Sequence, residues 1–362
     1  MLALLAMAAV QMSGAIKIVA MSDIHAMSEM LVEKRGAAID KYAASDMRMI
    51  KESAEILRTV IGKIIEQRPD IVMISGDLTK DGERLSHEFV ANQLERLRAK
   101  GIKVLVIPGN HDISNANAKY FNGKERRTAA TITRKEFRDI YSHFGYGGDV
   151  KCDSASLSYA AEPVKGLVVI GIDSNRDEEN LLKARGDSVN TYHTAGRIKD
   201  ATLRWITDQA RSARAQGKRV VAMMHHHLIE HFDKEAQLLD KYVVADHENV
   251  RNELIDAGVH AILTGHLHLS DIARDYNNGD SITEVATGSL ITYPFHYRTI
   301  TIDADRMSVT THQLKSIASN PHLLADGKRQ VEQAVPGLLN SVLSRLMGKI
   351  EKWNKKLSGV MA

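Results

Sequence analysis

The chain has 362 residues, 44% hydrophobic and 26% charged, the balance of a globular protein with ample material for a core. Its formal charge of +3 is spread along the chain, which gives no ground for nucleic acid as a partner. A single cysteine, Cys152, excludes an internal disulfide framework and a thiolate metal site. A lone cysteine is ordinarily buried and inert. The sixteen histidines are more informative, because several cluster.

Leu2 to Val10 is an apolar run followed by Ser13-Gly14-Ala15. It is too short to span a bilayer and looks like the hydrophobic part of a secretory signal without its basic start. Export is therefore expected, with an ordinary surface-packed extension as the alternative. Six short apolar runs predict buried strands: Ile16 to Met21, Ile71 to Ser75, Val104 to Ile107, Leu167 to Ile172, Val220 to Met224 and Ala261 to Thr264. Between them, Met49 to Glu66 carries Ile50, Ala54, Leu57, Ile61 and Ile64 at helical spacing. Phe89 to Ala99 and Leu203 to Ala213 predict helices in the same way. Strands alternating with helices imply an α/β fold with largely parallel strands covered on both faces.

Ser114 to Gly148 is polar and irregular, which predicts a long surface excursion. After Gly265 the runs shorten to Ile282 to Ala286, Tyr297 to Ile302 and Ser308 to Gln313, suggesting hairpins or a second sheet layer. From Pro321 onward a helical tail is expected. In it Leu339, Val342, Leu343, Leu346, Ile350, Trp353 and Leu357 recur at helical spacing among Arg345, Lys349, Lys352, Lys355 and Lys356. Such a helix ordinarily docks on its own domain. A protein partner or an anionic membrane surface are the alternatives, and stable membrane insertion is not expected. The expected organisation is a signal-like segment over 1–15, one domain over 16–316 and a helical extension over 317–362.

Five motifs follow predicted strands. They are Ser22-Asp23-Ile24-His25, Gly76-Asp77-Leu78-Thr79, Pro108-Gly109-Asn110-His111-Asp112, His225-His226-His227 and Gly265-His266-Leu267-His268. In open α/β sheets, ligands bind beyond the carboxyl ends of the strands. Carboxylate, imidazole and amide oxygen together suit divalent Mn, Fe, Zn or Co. The glycines before Asp77, Asn110 and His266 let the backbone turn sharply away from the sheet. Each motif alone has a bland reading: Asp23 as a helix cap, Gly-Asp as a turn, a strand-end His as a structural residue. Their conjunction points to a metal site.

In this order the five motifs resemble those of the calcineurin-like metallophosphoesterases, over roughly Ile16 to Gln313. The resemblance implies a four-layer αββα sandwich of two β-sheets flanked by helices, with two divalent ions at one edge. It implies that Asp23, His25 and His268 hold one ion and that Asn110, a histidine of the triplet and His266 hold the other, with Asp77 bridging. His111 would be the proton donor and Asp112 would orient it. The family pattern favours His225 within the triplet, although alternation along a strand leaves His226 and His227 open. His231, His247 and His260 are expected to be surface or satisfied structural histidines.

The implied chemistry is hydrolysis of a phosphate ester by a hydroxide that two metals share, with His111 protonating the leaving oxygen. Protein phosphatases of this superfamily carry an Arg shortly after the second-motif Asp and read Gly-Asn-His-Glu, whereas here Leu78-Thr79-Lys80-Asp81-Gly82 follows Asp77 and Asp112 replaces the Glu. The purple acid phosphatase Tyr is also missing from the second motif. What remains looks like the bacterial group of cyclic-nucleotide and glycerophosphodiester phosphodiesterases, as do Thr287-Gly288-Ser289, Tyr293-Pro294 and Arg298. Arg298 is expected to pair with a carboxylate, or else to meet substrate phosphate. A small phosphodiester is thus the expected substrate, with a phosphomonoesterase or a non-catalytic metal-binding module as alternatives. A metallopeptidase is disfavoured, because the chain has no His-Glu-x-x-His helix.

Overall fold

The structure is a computed structural model that describes residues 14–44, 46–180, 193–303, 306–337 and 340. The apolar run 2–10 and the amphipathic stretch from Leu339 to Leu357 lie outside them, apart from residue 340. Fifteen strands occur in chain order among the described residues: β1 (Ile16–Met21), β2 (Val32–Lys34), β3 (Ile71–Ser75), β4 (Lys103–Ile107), β5 (Lys119–Asn122), β6 (Glu125–Thr128), β7 (Lys151–Cys152), β8 (Tyr159–Val164), β9 (Leu167–Ile172), β10 (Arg219–Met224), β11 (Ala261–Thr264), β12 (Asp271–Asn277), β13 (Asp280–Ala286), β14 (His296–Ile302) and β15 (Met307–Gln313). The helices are α1 (Ala37–Ala44), α2 (Ser53–Gln67), α3 (Arg84–Arg98), α4 (Arg134–Ile140), α5 (Asp200–Ala215), α6 (Glu235–Leu238) and α7 (His247–Asp256), with a further helix over 323–337.

One sheet runs β15-β14-β1-β3-β4 and a second runs β12-β13-β11-β10-β9-β8-β7. The central strands are parallel: β1 with β3, β3 with β4, and β9, β10, β11 and β13 with one another. Burial on both faces explains why β3 and β9 are continuous apolar runs, every residue buried. Between the sheets lies a core that includes Ile18, Met73, Ile107, Val169, Met223 and Leu263. Outside the first sheet, Leu57, Val60, Ile61 and Ile64 of α2 pack with Val90 and Leu94 of α3. Outside the second, Ile206 and Ala210 of α5 pack with Val250 and Leu254 of α7. The fold is the expected four-layer αββα sandwich. Each fully buried Leu, Ile or Val in these layers contributes about 1.5–3 kcal/mol.

The excursion after Ser114 departs from expectation. It holds the antiparallel hairpin β5–β6, the helix α4 and a 3-10 turn. β6 is exposed at all four residues, so no apolar alternation could mark it. α4 opens on a capping box in which Thr133 and Glu136 exchange hydrogen bonds, a signal that the spacing Thr-x-x-Glu does carry. β8 and β12 were likewise not marked by apolar runs; β12 alternates half-buried and exposed residues at a sheet edge. Cys152 is exposed on the edge strand β7 rather than buried. The helix over 323–337 docks on the first sheet's helical layer: Leu323 joins that core, and Gln330 donates to the carbonyls of Ala43, Asp46 and Arg48. Among the described residues no helix is long and apolar enough to cross a membrane.

Candidate active site

The five motifs leave the carboxyl ends of β1, β3, β4, β10 and β11, and the two sheets are joined there. Nδ1 of His225, from the second sheet, lies 2.8 Å from the Ser75 carbonyl of the first. Ser75 Oγ in turn donates to the Leu263 carbonyl at 3.2 Å. The backbone N–H groups of Asp23 and His25 donate to the carbonyls of Gly76 and Asp77. His266 N–H donates to Oδ2 of Asp23 at 2.9 Å, which locks the last motif onto the first.

These crossings demand unusual backbone. Asp23, His25, Asp77, His266 and His268 all adopt left-handed φ values, from 40° to 67°. Such non-glycine residues cost about 1–3 kcal/mol each and cluster where function over-determines the structure. The glycines before the motifs act in two ways. Gly76 needs its φ of 89°, whereas Gly265 serves close approach: a Cβ there would meet Oγ of Ser22 at 1.7 Å.

The expected residues converge. Oδ2 of Asp77 lies 3.5 Å from Nε2 of His25 and 3.4 Å from Nε2 of His225. Nε2 of His268 is 3.3 Å from Oδ1 of Asp23 and 3.3 Å from Nε2 of His25. Oδ1 of Asn110 is 3.0 Å from Nε2 of His225. Ligand atoms of Asp77, His225 and His266 lie within 4.8 Å of one another, as do those of Asp23, His25 and His268. Within the triplet, His225 faces the cluster. His226 turns away to Ser174 Oγ and the Thr194 carbonyl, its ring packed beside His225 and His266, and His227 turns to Glu235.

The electrostatics suit cations. Burial opposes the charge on Asp77, yet His225, His111 and His25 hold its carboxyl well below the usual range. Burial likewise opposes a charged His225, but the Asp77 and Asp23 carboxylates overcome it and push the ring up to about 9. His25 is pushed well down by burial and by Arg48. Oδ1 of Asp23 is buried without a hydrogen-bond partner, although it faces His25 and His268. An unpartnered carboxylate oxygen among imidazole nitrogens is the donor set of a borderline divalent cation, so these residues fit metal ions.

His111 sits beside this cluster, Nε2 at 4.0 Å from Oδ2 of Asp77, and is partly exposed. Its Nδ1 lies 2.8 Å from the Lys80 carbonyl and 3.0 Å from Oδ1 of Asp81. Burial lowers its basicity, but Asp77 and Asp81 outweigh that and raise it. Asp112, expected to orient His111, spends its carboxylate on the turn instead. It accepts from the N–H groups of Leu78, Thr79 and Gly109 and from Thr79 Oγ1, so the carboxylate facing the His111 ring is Asp81. The ion pair of the buried Lys80 with Asp81 holds that carboxylate in place.

Two further groups escaped the sequence reading. Arg48, clamped by Asp46, brings Nη1 to 2.9 Å from Nδ1 of His25. A guanidinium only donates, so ligation through Nε2 of His25, which places the proton on Nδ1, requires Arg48 to turn from the ring. Arg48 follows α1 in a polar stretch without motif or period. Ser289, of the Thr287-Gly288-Ser289 stretch, donates Oγ to the Asp23 carbonyl at 2.9 Å and braces the first motif. Arg298 is buried on β14 with its Nε unpartnered, and Asp271 is the carboxylate that acts on it.

A protein 21% identical over 201 residues is a probable cyclic nucleotide phosphodiesterase of Moraxella catarrhalis; the match covers 55% of this chain and 58% of that protein. A second, from Ruthia magnifica subsp. Calyptogena magnifica and named in the same way, is 44% identical over 59 residues, 16% of this chain and 24% of that one. The chain thus spans well under two thirds of these relatives' length. Among solved structures, a dimetal phosphatase from Danio rerio superposes with a TM-score of 0.54 at 16% identity, over 82% of this chain and 96% of that one, a likeness of fold. The family model for calcineurin-like phosphoesterases matches residues 16–270, well over half of the chain, and the chain belongs to that family.

Proposed function

We propose that this chain hydrolyses a small phosphodiester at a centre of two divalent ions, with His111 as general acid. The observation that carries the reading is Asp77, whose Oδ2 lies within 3.5 Å of Nε2 of both His25 and His225, residues that follow strands of different sheets. Asp23, His25 and His268 would hold one ion; Asn110, His225 and His266 would hold the second, with Asp77 facing both. Mn, Fe, Zn and Co all suit the donor set. When bound, such ions polarise phosphoryl oxygens and activate water.

This chain's residues supply the rest. Both neighbours of Nδ1 in His111 are acceptors, the Lys80 carbonyl and the Asp81 carboxylate, so Nδ1 keeps a proton and the ring is held still. Nε2 then carries the mobile proton for the leaving alkoxide, and the Asp77 and Asp81 carboxylates favour its protonated form against burial. Asp112 and Thr79 keep the second and third motifs in register, so that Asp77 accepts from the His111 N–H at 2.8 Å. The relatives named as probable cyclic nucleotide phosphodiesterases favour a diester over a monoester.

A panel of cyclic and linear diesters and of monoesters, run on Mn- or Co-loaded protein and again in chelator, tests the proposal. Faster turnover of diesters, lost in chelator and restored by metal, is expected. Preference for monoesters would replace the diester reading, and no turnover of any ester would leave a metal-binding module.

A further inference from the structure

A second cluster of metal-ligating side chains lies outside the site described above and shares no residue with it. His227, His231 and Glu284 each offer one ligand atom, a ring nitrogen or a carboxylate oxygen, and these atoms lie within 4.8 Å of one another. His227 and His231 come from the segment after β10, and Glu284 from β13 of the same sheet. The side chains of all three show no exposure.

The two rings are wired alike. Nδ1 of His227 lies 2.9 Å from Oε1 of Glu235, and Nδ1 of His231 lies 3.0 Å from Oδ2 of Asp271. A carboxylate only accepts, so each Nδ1 carries the proton and each Nε2 presents its lone pair to the common gap. Glu235 also accepts the His231 backbone N–H at 2.7 Å, which ties the His231 main chain to the carboxylate that holds the His227 ring. A carboxylate or carbonyl behind the far nitrogen is the usual support of a metal-bound imidazole.

The near side of the rings is unsatisfied. Nε2 of His227 and Nε2 of His231 are both buried without a hydrogen-bond partner. A buried polar atom left so costs about 1–3 kcal/mol. Glu284 is itself anchored: Oε2 accepts from the N–H groups of Leu228 and Ile229, and Oε1 accepts from Thr264 Oγ1 at 2.5 Å. Oε1 then faces Nε2 of His231 at 3.4 Å. Protonating His231 would satisfy that one approach and leave His227 Nε2 stranded. A cation between the three satisfies all of them together. Bond lengths of about 2.0–2.1 Å in a tetrahedral site put ligand atoms about 3.4 Å apart, the separation His231 and Glu284 already show.

We propose that His227, His231 and Glu284 bind a third divalent ion, Zn²⁺ or a cation of similar softness. Two imidazole nitrogens and one carboxylate oxygen are a zinc donor set, completed by water. The ion ties the segment after β10, which begins with His225, to β13, which β11 separates from β10 in the sheet.

The test compares zinc content and zinc location. Wild type, His231→Gln and Glu284→Gln are loaded with Zn²⁺, dialysed, and measured by elemental analysis, with circular dichroism to check folding. Each variant is expected to hold one zinc fewer per chain than wild type, whatever the occupancy of the Asp77 centre. Equal contents in folded wild type and variants overturn the proposal. Crystals of zinc-loaded wild type, which need no variant to fold, are expected to show an anomalous peak bounded by His227, His231 and Glu284. A map with no peak there overturns it equally.

Discussion

Oδ1 of Asp81 lies 3.0 Å from Nδ1 of His111, and this contact joins a buried ion pair to the partly exposed histidine at the edge of the candidate active site. It predicts that Asp81→Asn, which keeps the shape and loses the charge, slows hydrolysis of alkyl esters by about tenfold to a hundredfold, the range seen when a carboxylate behind a metal-bound histidine is removed. Metal content should stay at the wild-type level, since Asp81 is outside the ligand cluster. Steady-state kinetics with elemental analysis checks both; an unchanged rate would show that the Lys80 carbonyl alone orients the ring.

His111→Ala should cost on the order of 10²–10⁴ in rate with alkyl esters, which leave as strongly basic alkoxides and need a proton. A nitrophenyl ester leaves without help and should lose much less. Metal content should remain near wild type. A rate series over leaving groups of different basicity decides the point: a loss of one size across the series assigns His111 a purely structural part.

Asp77→Asn should lose metal and turnover together while the fold survives. The carboxylate is the shared neighbour of His25 and His225, and an amide offers two cations little attraction. Its place at a strand end, outside the three apolar layers, leaves the core intact. Elemental analysis, kinetics and thermal unfolding are the measurements. Full metal content with a near-normal rate would remove Asp77 from the shared position.

His87 predicts a pH dependence of stability. Burial pushes its ring down to about 3, with the Asp112 carbonyl opposing and Arg84 assisting. The neutral ring is fully satisfied, Nε2 at 2.8 Å from the Asp112 carbonyl and Nδ1 at 2.9 Å from the Tyr141 hydroxyl. In the unfolded chain the ring takes a proton near pH 6.5, so the unfolded state binds more protons between about 6.5 and 3. Stability from this group is complete above that window and falls as pH drops through it, by up to about 1.4 kcal/mol per unit. Denaturant unfolding of wild type and His87→Gln across pH 4 to 7 should show a shallower acid slope in the variant. Parallel slopes would refute the assignment.

The strand-end motifs and the alternation of buried strands with helices were legible in the sequence, because burial on both faces writes β3 and β9 as unbroken apolar runs and the chemistry begins where those runs stop, whereas the αββα layering was implied by the family resemblance. What it could not decide was direction. His225, His226 and His227 are chemically alike and consecutive, and only the junction of the two sheets, with Ser75 against Nδ1 of His225, turns the first of them to Asp77. Asp112 stands next to His111 in sequence, yet the turn consumes its carboxylate and leaves Asp81, thirty residues earlier in the chain, to face the ring. His231 sits in a polar stretch that leaves a surface and a satisfied structural reading open, and packing against β13 buries its side chain beside Glu284. Apolar periodicity records which residues leave water, and it is silent on where a polar side chain points. That is set by contacts between segments far apart in the chain, which exist only once the two sheets have packed.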